Sequence, residues 1–332
     1  NLGRFIPSHF TVTSNSPVLD DANANGLACR FTYQGQPFTL DDDIVLTLTA
    51  HKMGGGDVMN YGGNGTAEDY FKLDALVPSN SSNLTIADNA GMNPALAFDQ
   101  SAFTADITNA ADYDGEATIT FSHSSFRYQR ASDVVNGAGD APFNANFDWV
   151  LNNGELTDGD VHPVTGDSPC LVDSSSCENY TISGITGTNI RYGRVTVGNN
   201  NGSELMPLTQ PIRIEYWKEV AGGQYAFQLH SEDTCSDDAW SATDIVLSNY
   251  QGKLGSGETT KTLGDFSSQD ESTVNLSAPG AGNDGSVNVT LDVDTWLRYN
   301  FFGLGNVNPV GVGSFGIYSG REPIFYLRES YR

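Results

Sequence analysis

Histidines, carboxylates, hydroxyls and thiols are the side chains able to do chemistry here, and their spacing limits what that chemistry is. The histidines, His9, His51, His123, His162 and His230, are scattered along the chain. No G-x-S-x-G run presents a nucleophilic serine on a strand-to-helix turn. A triad would have to be assembled from distant residues by the fold, so the chain reads as non-enzymatic. A secreted hydrolase is the weaker alternative, recognisable by a Ser–His pair in a cleft or a tight cluster of acids. Glycosidases need two placed carboxylates, but with 41 acidic residues any pair can be drawn. "GGGD" and "GGNG" are not followed by helical patterns, so neither is a phosphate-cradling loop.

Calcium is the best metal candidate. In "DDANANG" the oxygens of Asp21, Asn23 and Asn25 alternate ahead of a turn glycine, Gly26, as in the first half of an EF-hand loop. The second half fails, since Thr32 stands where a bidentate Glu is required and a strand pattern follows. Turns capped by their own Asx side chains explain this stretch, "TDGD" and the Asp41–Asp43 run more simply. Among the tryptophans, Trp149, Trp217, Trp240 and Trp296, those at 217 and 296 lie in strand-like runs and read as core anchors. Trp240, in the loop "SDDAWSA", is the candidate for stacking against a sugar.

Four cysteines, Cys29, Cys170, Cys177 and Cys235, stand in polar loops. An even count of this kind suits disulfides in an oxidising compartment, whereas zinc wants close C-x-x-C pairs or neighbouring histidines. Cys170 and Cys177 enclose only "LVDSSS", a short loop that closes locally. Cys29–Cys235 then follows by elimination. Closing so long a loop stabilises by about 4–5 kcal/mol in the chain-entropy picture.

The elements that position these residues are strands. The 332 residues suggest about two domains. Glycine is abundant, charged residues make up 17%, and the Ala, Leu, Glu and Lys runs of a helical bundle are missing. "DDDIVLTLTAHK" alternates cleanly, with Ile44, Leu46 and Leu48 on one face. Strand patterns recur through 70–77, 83–87, 95–98, 102–107 and 117–126, then at 143–151. A second series runs from "IRYGRVTVGN" to "PIFYLRESY". The expected architecture is all-β: two antiparallel β-sandwich domains, Ig-like or jelly-roll-like, over residues 1–135 and 190–332. A polar connecting region with its own disulfide clip spans 136–189.

Sixteen basic against 41 acidic residues give a net charge of −25, so nucleic acid and anionic lipid are repelled. No run of about 18 apolar residues is present to span a bilayer. The opening "NLGRFIPSHF" has no basic region followed by an apolar one, so it reads as an internal start.

Six segments in order, "GRFIPSHFTV", "CRFTYQGQPFTL", "LTLTAHKMGGGDVMNYGG", "IRYGRVTVGNNNGSELMPLTQPIRIEYW", "EDTCS" and "FGIYSGREPIFYLRESY", carry a resemblance. Together they are similar to the C-terminal region of MshQ-type proteins, associated with the mannose-sensitive haemagglutinin type IV pilus of aquatic Gram-negative bacteria. The resemblance implies a secreted, cell-surface protein whose partners are pilus or other surface proteins, with glycans as further ligands. It carries over no catalytic residues. The leading expectation is therefore a structural or adhesive module. A calcium-assisted carbohydrate-binding module is the alternative.

The end of the chain places Arg321, Arg328 and Arg332 around the apolar run Ile324–Leu327. In so acidic a protein this predicts a closing core strand whose ends pair with carboxylates.

Overall fold

Alternating burial builds many of the described strands of this protein. The computed structural model describes residues 7–22, 30–59, 84–91, 96–99, 104–108, 115–122, 125–130, 139–151, 179–233, 235–236, 240–264 and 271–316. Among these there is no α-helix, and the strands form several mainly antiparallel sheets. The chain divides into two units. The first comprises Asn1–Ala24, Arg30–Arg130 and Pro142–Arg191, the second Asn25–Cys29, Ala131–Ala141 and Tyr192–Arg332.

The first unit contains β1 (His9–Ser14), β2 (Thr32–Tyr33), β3 (Ile44–His51), β4 (Leu84–Asp88), β5 (Leu96–Asp99), β6 (Thr104–Thr108), β7 (Glu116–Ser122), β8 (Ser125–Tyr128), β9 (Phe143–Leu151) and β10 (Tyr180–Arg191). One sheet runs β1-β3-β7-β6, a second runs β2-β10-β9-β4, and β5 pairs with β8. In β3, Ile44, Leu46, Leu48 and Ala50 are buried while Val45, Thr47, Thr49 and His51 face outward. β9 does the same with Ala145, Phe147, Trp149 and Leu151. Both inner faces feed one core, where Phe121 meets Trp149 edge-on with ring centroids 5.1 Å apart. Each such side chain contributes about 1.5–3 kcal/mol by leaving water.

The second unit contains β11 (Gly193–Val197), β12 (Asn200–Gly202), β13 (Leu208–Ala221), β14 (Gln224–Leu229), β15 (Ile245–Gly252), β16 (Lys261–Leu263), β17 (Glu271–Leu276), β18 (Gly285–Leu291) and β19 (Val310–Phe315). Its sheets run β11-β13-β17-β16, with β14 on β13, and β12-β19-β18-β15. The order within the two four-strand paths repeats that of the first unit, while β5-β8 there and β14 here have no counterpart. In each, the opening strand pairs antiparallel in one sheet. The next short strand, β2 or β12, joins the other sheet and pairs parallel with the unit's last strand, β10 or β19.

The inward positions of β19 are Gly311, Gly313 and Phe315. A Cβ on Gly311 would lie 2.7 Å from Val197 Cγ1 and 2.8 Å from the Gly198 carbonyl oxygen. One on Gly313 would lie 2.7 Å from Leu276 Cδ1. Glycine here lets β19 approach β11 and β17 of the opposite sheet closely. Asn199 Oδ1 accepts from Val312 N–H at 2.7 Å, and Asn200 Nδ2 donates to the Thr209 carbonyl at 2.6 Å. The "GNNNG" run thus knits the β12 edge to both of its neighbours.

Three expectations change. The polar stretch 136–189 is not a connector: it supplies β9 and β10, two neighbouring strands of the first unit's second sheet, and that unit extends to Arg191. The single strand expected over 117–126 is divided between β7 and β8, which belong to different sheets. The N-terminal unit therefore does not stop at 135. The strand expected at 70–77, the clip Cys170–Cys177 and the closing segment with Arg321, Arg328 and Arg332 lie outside the described residues.

Candidate functional site

The outer face of the first sheet carries a hydrogen-bonded row of three chemically active side chains. Period-two alternation places His9 and Thr11 of β1 and His51 of β3 on this face. His9 is directly opposite His51 in register, and Thr11 is opposite Thr49. His51 is therefore a diagonal neighbour of Thr11, within reach of its hydroxyl. Thr11 Oγ1 and His51 Nε2 are 2.8 Å apart.

The glycines after His51 supply the third member. In "HKMGGGD", Gly55 and Gly56 adopt φ of 86° and 81°, a region costly for other residues. The turn closes with Lys52 N–H donating to the Gly56 carbonyl at 2.9 Å and Gly55 N–H donating to the Lys52 carbonyl at 3.0 Å. Asp57 is thereby returned to bridge His51, and its Oδ1 lies 3.1 Å from His51 Nδ1. An Nδ1–H donated to Asp57 leaves Nε2 as the acceptor for the Thr11 hydroxyl. Hydroxyl, imidazole and carboxylate then stand in the order that lets a base take a proton from an oxygen nucleophile.

His9 completes the cluster without joining the row. Its ring stacks on His51 at a centroid distance of 4.9 Å and an interplanar angle of 26°. Its Nδ1 is buried with no hydrogen-bond partner. Burial, reinforced by the His51 charge, holds the His9 imidazole below its usual pKa.

Other residues singled out by sequence take different roles. Asp21 accepts from the Thr188 hydroxyl at 2.5 Å. That hydroxyl is also 2.8 Å from Thr32 Oγ1, which accepts from Ala22 N–H. Burial pushes the Asp21 carboxyl above its usual range and Asp20 adds to this. The Thr188 bond, Arg30 and Arg191 oppose it. Its proposed calcium co-ligands Asn23 and Asn25 lie outside the described residues. No group of three or more His, Cys, Asp or Glu side chains forms a metal site among the described residues. Trp240 is buried, at 9% exposure. Cys235 is disulfide-bonded, while Cys29, Cys170 and Cys177 lie outside the described residues. Asp233 shapes the turn at Cys235 by accepting from the Cys235 and Ser236 N–H groups at 3.2 and 2.9 Å.

The Thr11–His51–Asp57 row was not singled out by sequence. Its His–Asp half had a local signal in the glycine turn between the two residues. Its threonine had none, because only strand register brings β1 alongside β3.

Two all-β units of one strand order define a tandem β-domain protein. Residues 1–183 match the third domain of DUF6701 and residues 191–330 its fourth domain, and the chain belongs to the DUF6701 family. No curated protein matches it. Among solved structures, a marsupial T cell receptor aligns at 9% identity over 92% of this chain and 73% of that one, with a TM-score of 0.22. A second marsupial T cell receptor aligns at 8% identity over 95% of this chain and 100% of the other, with a TM-score of 0.16.

Proposed function

We propose that this chain is a non-enzymatic structural or adhesive module of a secreted, cell-surface protein, built from two Ig-like β-sandwiches in tandem. The observation that carries this reading is the strand order shared by the two units. Repeated β-domains of one design suit extended surface proteins, whose sites lie in loops and sheet faces rather than in one deep cleft. The net charge of −25 and the disulfide at Cys235 fit an extracellular setting. The resemblance to MshQ-type proteins makes type IV pilus display, assembly or surface attachment the specific role. Deleting both domains from the source bacterium should reduce pilus number or attachment to surfaces. Unchanged pili and unchanged attachment would overturn the reading. A glycan array probed with and without chelator distinguishes a calcium-assisted carbohydrate-binding module, which alone predicts chelator-sensitive glycan binding.

One observation favours a second reading, an acyl-transferring hydrolase. Thr11 Oγ1 would attack an ester carbonyl carbon while His51 Nε2 takes its proton. His51 would then protonate the departing alkoxide, and water would release the acyl group from Thr11 by the reverse sequence. Incubation with an activated ester should acylate Thr11, as read by peptide mass spectrometry, and Thr11→Val should abolish the adduct. Absence of a Thr11 adduct in the wild-type chain removes this reading.

A further inference from the structure

We propose that the stacked His9–His51 pair is an acid-sensitive latch that holds the edge strand β1 on β3. The proposal does not depend on either functional reading above, because His9 takes no part in the Thr11–His51–Asp57 row.

β1 lies at the end of the order β1-β3-β7-β6, so within the sheet only β3 holds it. At its N-terminal end the ladder closes with Ser8 N–H donating to the His51 carbonyl at 2.7 Å, directly beside the stacked imidazoles. At the other end Asn15 ties β1 to the start of β3: its Nδ2 donates to the Asp43 carbonyl at 2.7 Å and its Oδ1 accepts from Val45 N–H at 2.9 Å. The first end depends on the His9 imidazole, which can take a proton in acid, and the second on an amide that does not.

The charges around the pair are unequal. Asp57, on the turn, faces His51 Nδ1 at 3.1 Å and sets a negative charge on that side of the pair. Lys52 follows His51 in sequence and adds to the positive side. Glu116, on β7, accepts from the Thr49 hydroxyl at 3.3 Å. A proton on His9 would place a cation against the His51 ring with its Nδ1–H buried and unmatched by an acceptor.

The sign of the pH dependence follows. His9 is held below its free value of 6.5, so the folded state favours the neutral ring. Its contribution is intact above pH 6.5. It is lost as pH falls through 6.5 toward the lower folded value, because the unfolded chain binds the proton first. Acid therefore loosens residues 9–12 while the Asn15 end stays tied. It uncovers the edge of β3, whose freed N–H and C=O groups are then open to a further strand.

Amide hydrogen exchange on the full chain tests this at about pH 7.5 and about pH 5.5, either side of the free imidazole value and corrected for intrinsic rates. The N-terminal half of β1 should lose protection at the lower pH, by up to about tenfold, the most that one pH unit below the free imidazole value allows, while β13 and β17 stay unchanged. His9→Phe keeps a ring in the stack but cannot take a proton, so it should abolish the loss. The same loss in His9→Phe, or equal protection at both pH values in the wild type, would overturn the latch. If His9→Phe does not fold, an NMR titration of His9 in the wild-type chain decides: a midpoint at or above the free imidazole value rules the latch out.

Discussion

The Arg194 guanidinium lies 3.7 Å from the centroid of the Phe227 ring, while its Nε and Nη2 are each 2.8 Å from the same Glu215 oxygen. Tyr299 and Phe301 extend the aromatic surround, with centroids at 4.9 and 5.7 Å. The paired side chains are only 20% and 16% exposed, which sets them apart from weak surface pairs. Arg194→Lys keeps the charge but loses the flat, two-nitrogen contact, and should cost about 1–2 kcal/mol. Arg194→Met leaves the Glu215 carboxylate without its partner and should cost about 3 kcal/mol or more. Urea denaturation measures both, and a Lys variant as stable as wild type would show that the planar stack contributes nothing.

Substitution of the β19 glycines should separate by what the new methyl group meets. Gly311→Ala drives a Cβ to 2.8 Å from the backbone oxygen of Gly198, which cannot yield without moving the strand. Gly313→Ala meets first the end of the Leu276 side chain, which can rotate. Both overpack the core at a cost of about 1–3 kcal/mol, with Gly311→Ala the more damaging. Thermal melts that rank them in the reverse order would contradict this geometry.

Asp21→Asn should leave stability at neutral pH unchanged or slightly raised, by under about 1 kcal/mol, since the carboxylate is only partly buried. The folded-state pKa of Asp21 lies above its ordinary value, so ionisation is what costs the folded chain. Any advantage of the variant therefore shrinks as pH falls through the raised value toward 3.8. Paired urea titrations across that range check the direction. A variant less stable at neutral pH would show that the Thr188 bond needs the full negative charge.

Cys235 is disulfide-bonded, and Cys29 is its expected partner, leaving Cys170 with Cys177. Peptide mapping without reduction should find a fragment joining residues 29 and 235. A fragment joining Cys235 to Cys170 or Cys177 rejects this pairing.

Strand legibility in the sequence followed from how strictly one face is buried. β3 and β9 alternate without interruption, and the strand expected over 143–151 has the limits of β9. β10, "YTISGITGTNIR", falls, except for its last two residues, in the stretch whose composition suggests a polar connector. Its pairing with β9 shifts register between Ile182 and Ile185 and again between Thr186 and Asn189, and Gly184 and Gly187 fall in these gaps. Bulges spread the buried residues irregularly along the strand and erase the period of two. β2 has two residues, too few to show any period. The site behaved alike: the glycine turn hinted at His51 meeting Asp57, but the meeting of Thr11 and His51 depends on pairing 40 residues apart.

The parallel pairing of each unit's early short strand with its last strand also sets the order of folding. Thr32 meets Thr188 across 156 residues, and Asn199 meets Val312 across 113. Neither second sheet can close until the final strand of its unit is present. Contacts of such separation carry a large loop-closure cost before they return any stability, so both units belong among slow-folding β proteins, in the range of about milliseconds to seconds. A chain released N-terminus first would present β3 with β7, and β4 with β9, already able to pair while β2 still waits for β10. During that interval the second sheet has an open edge, and this is when the protein most needs protection from its neighbours.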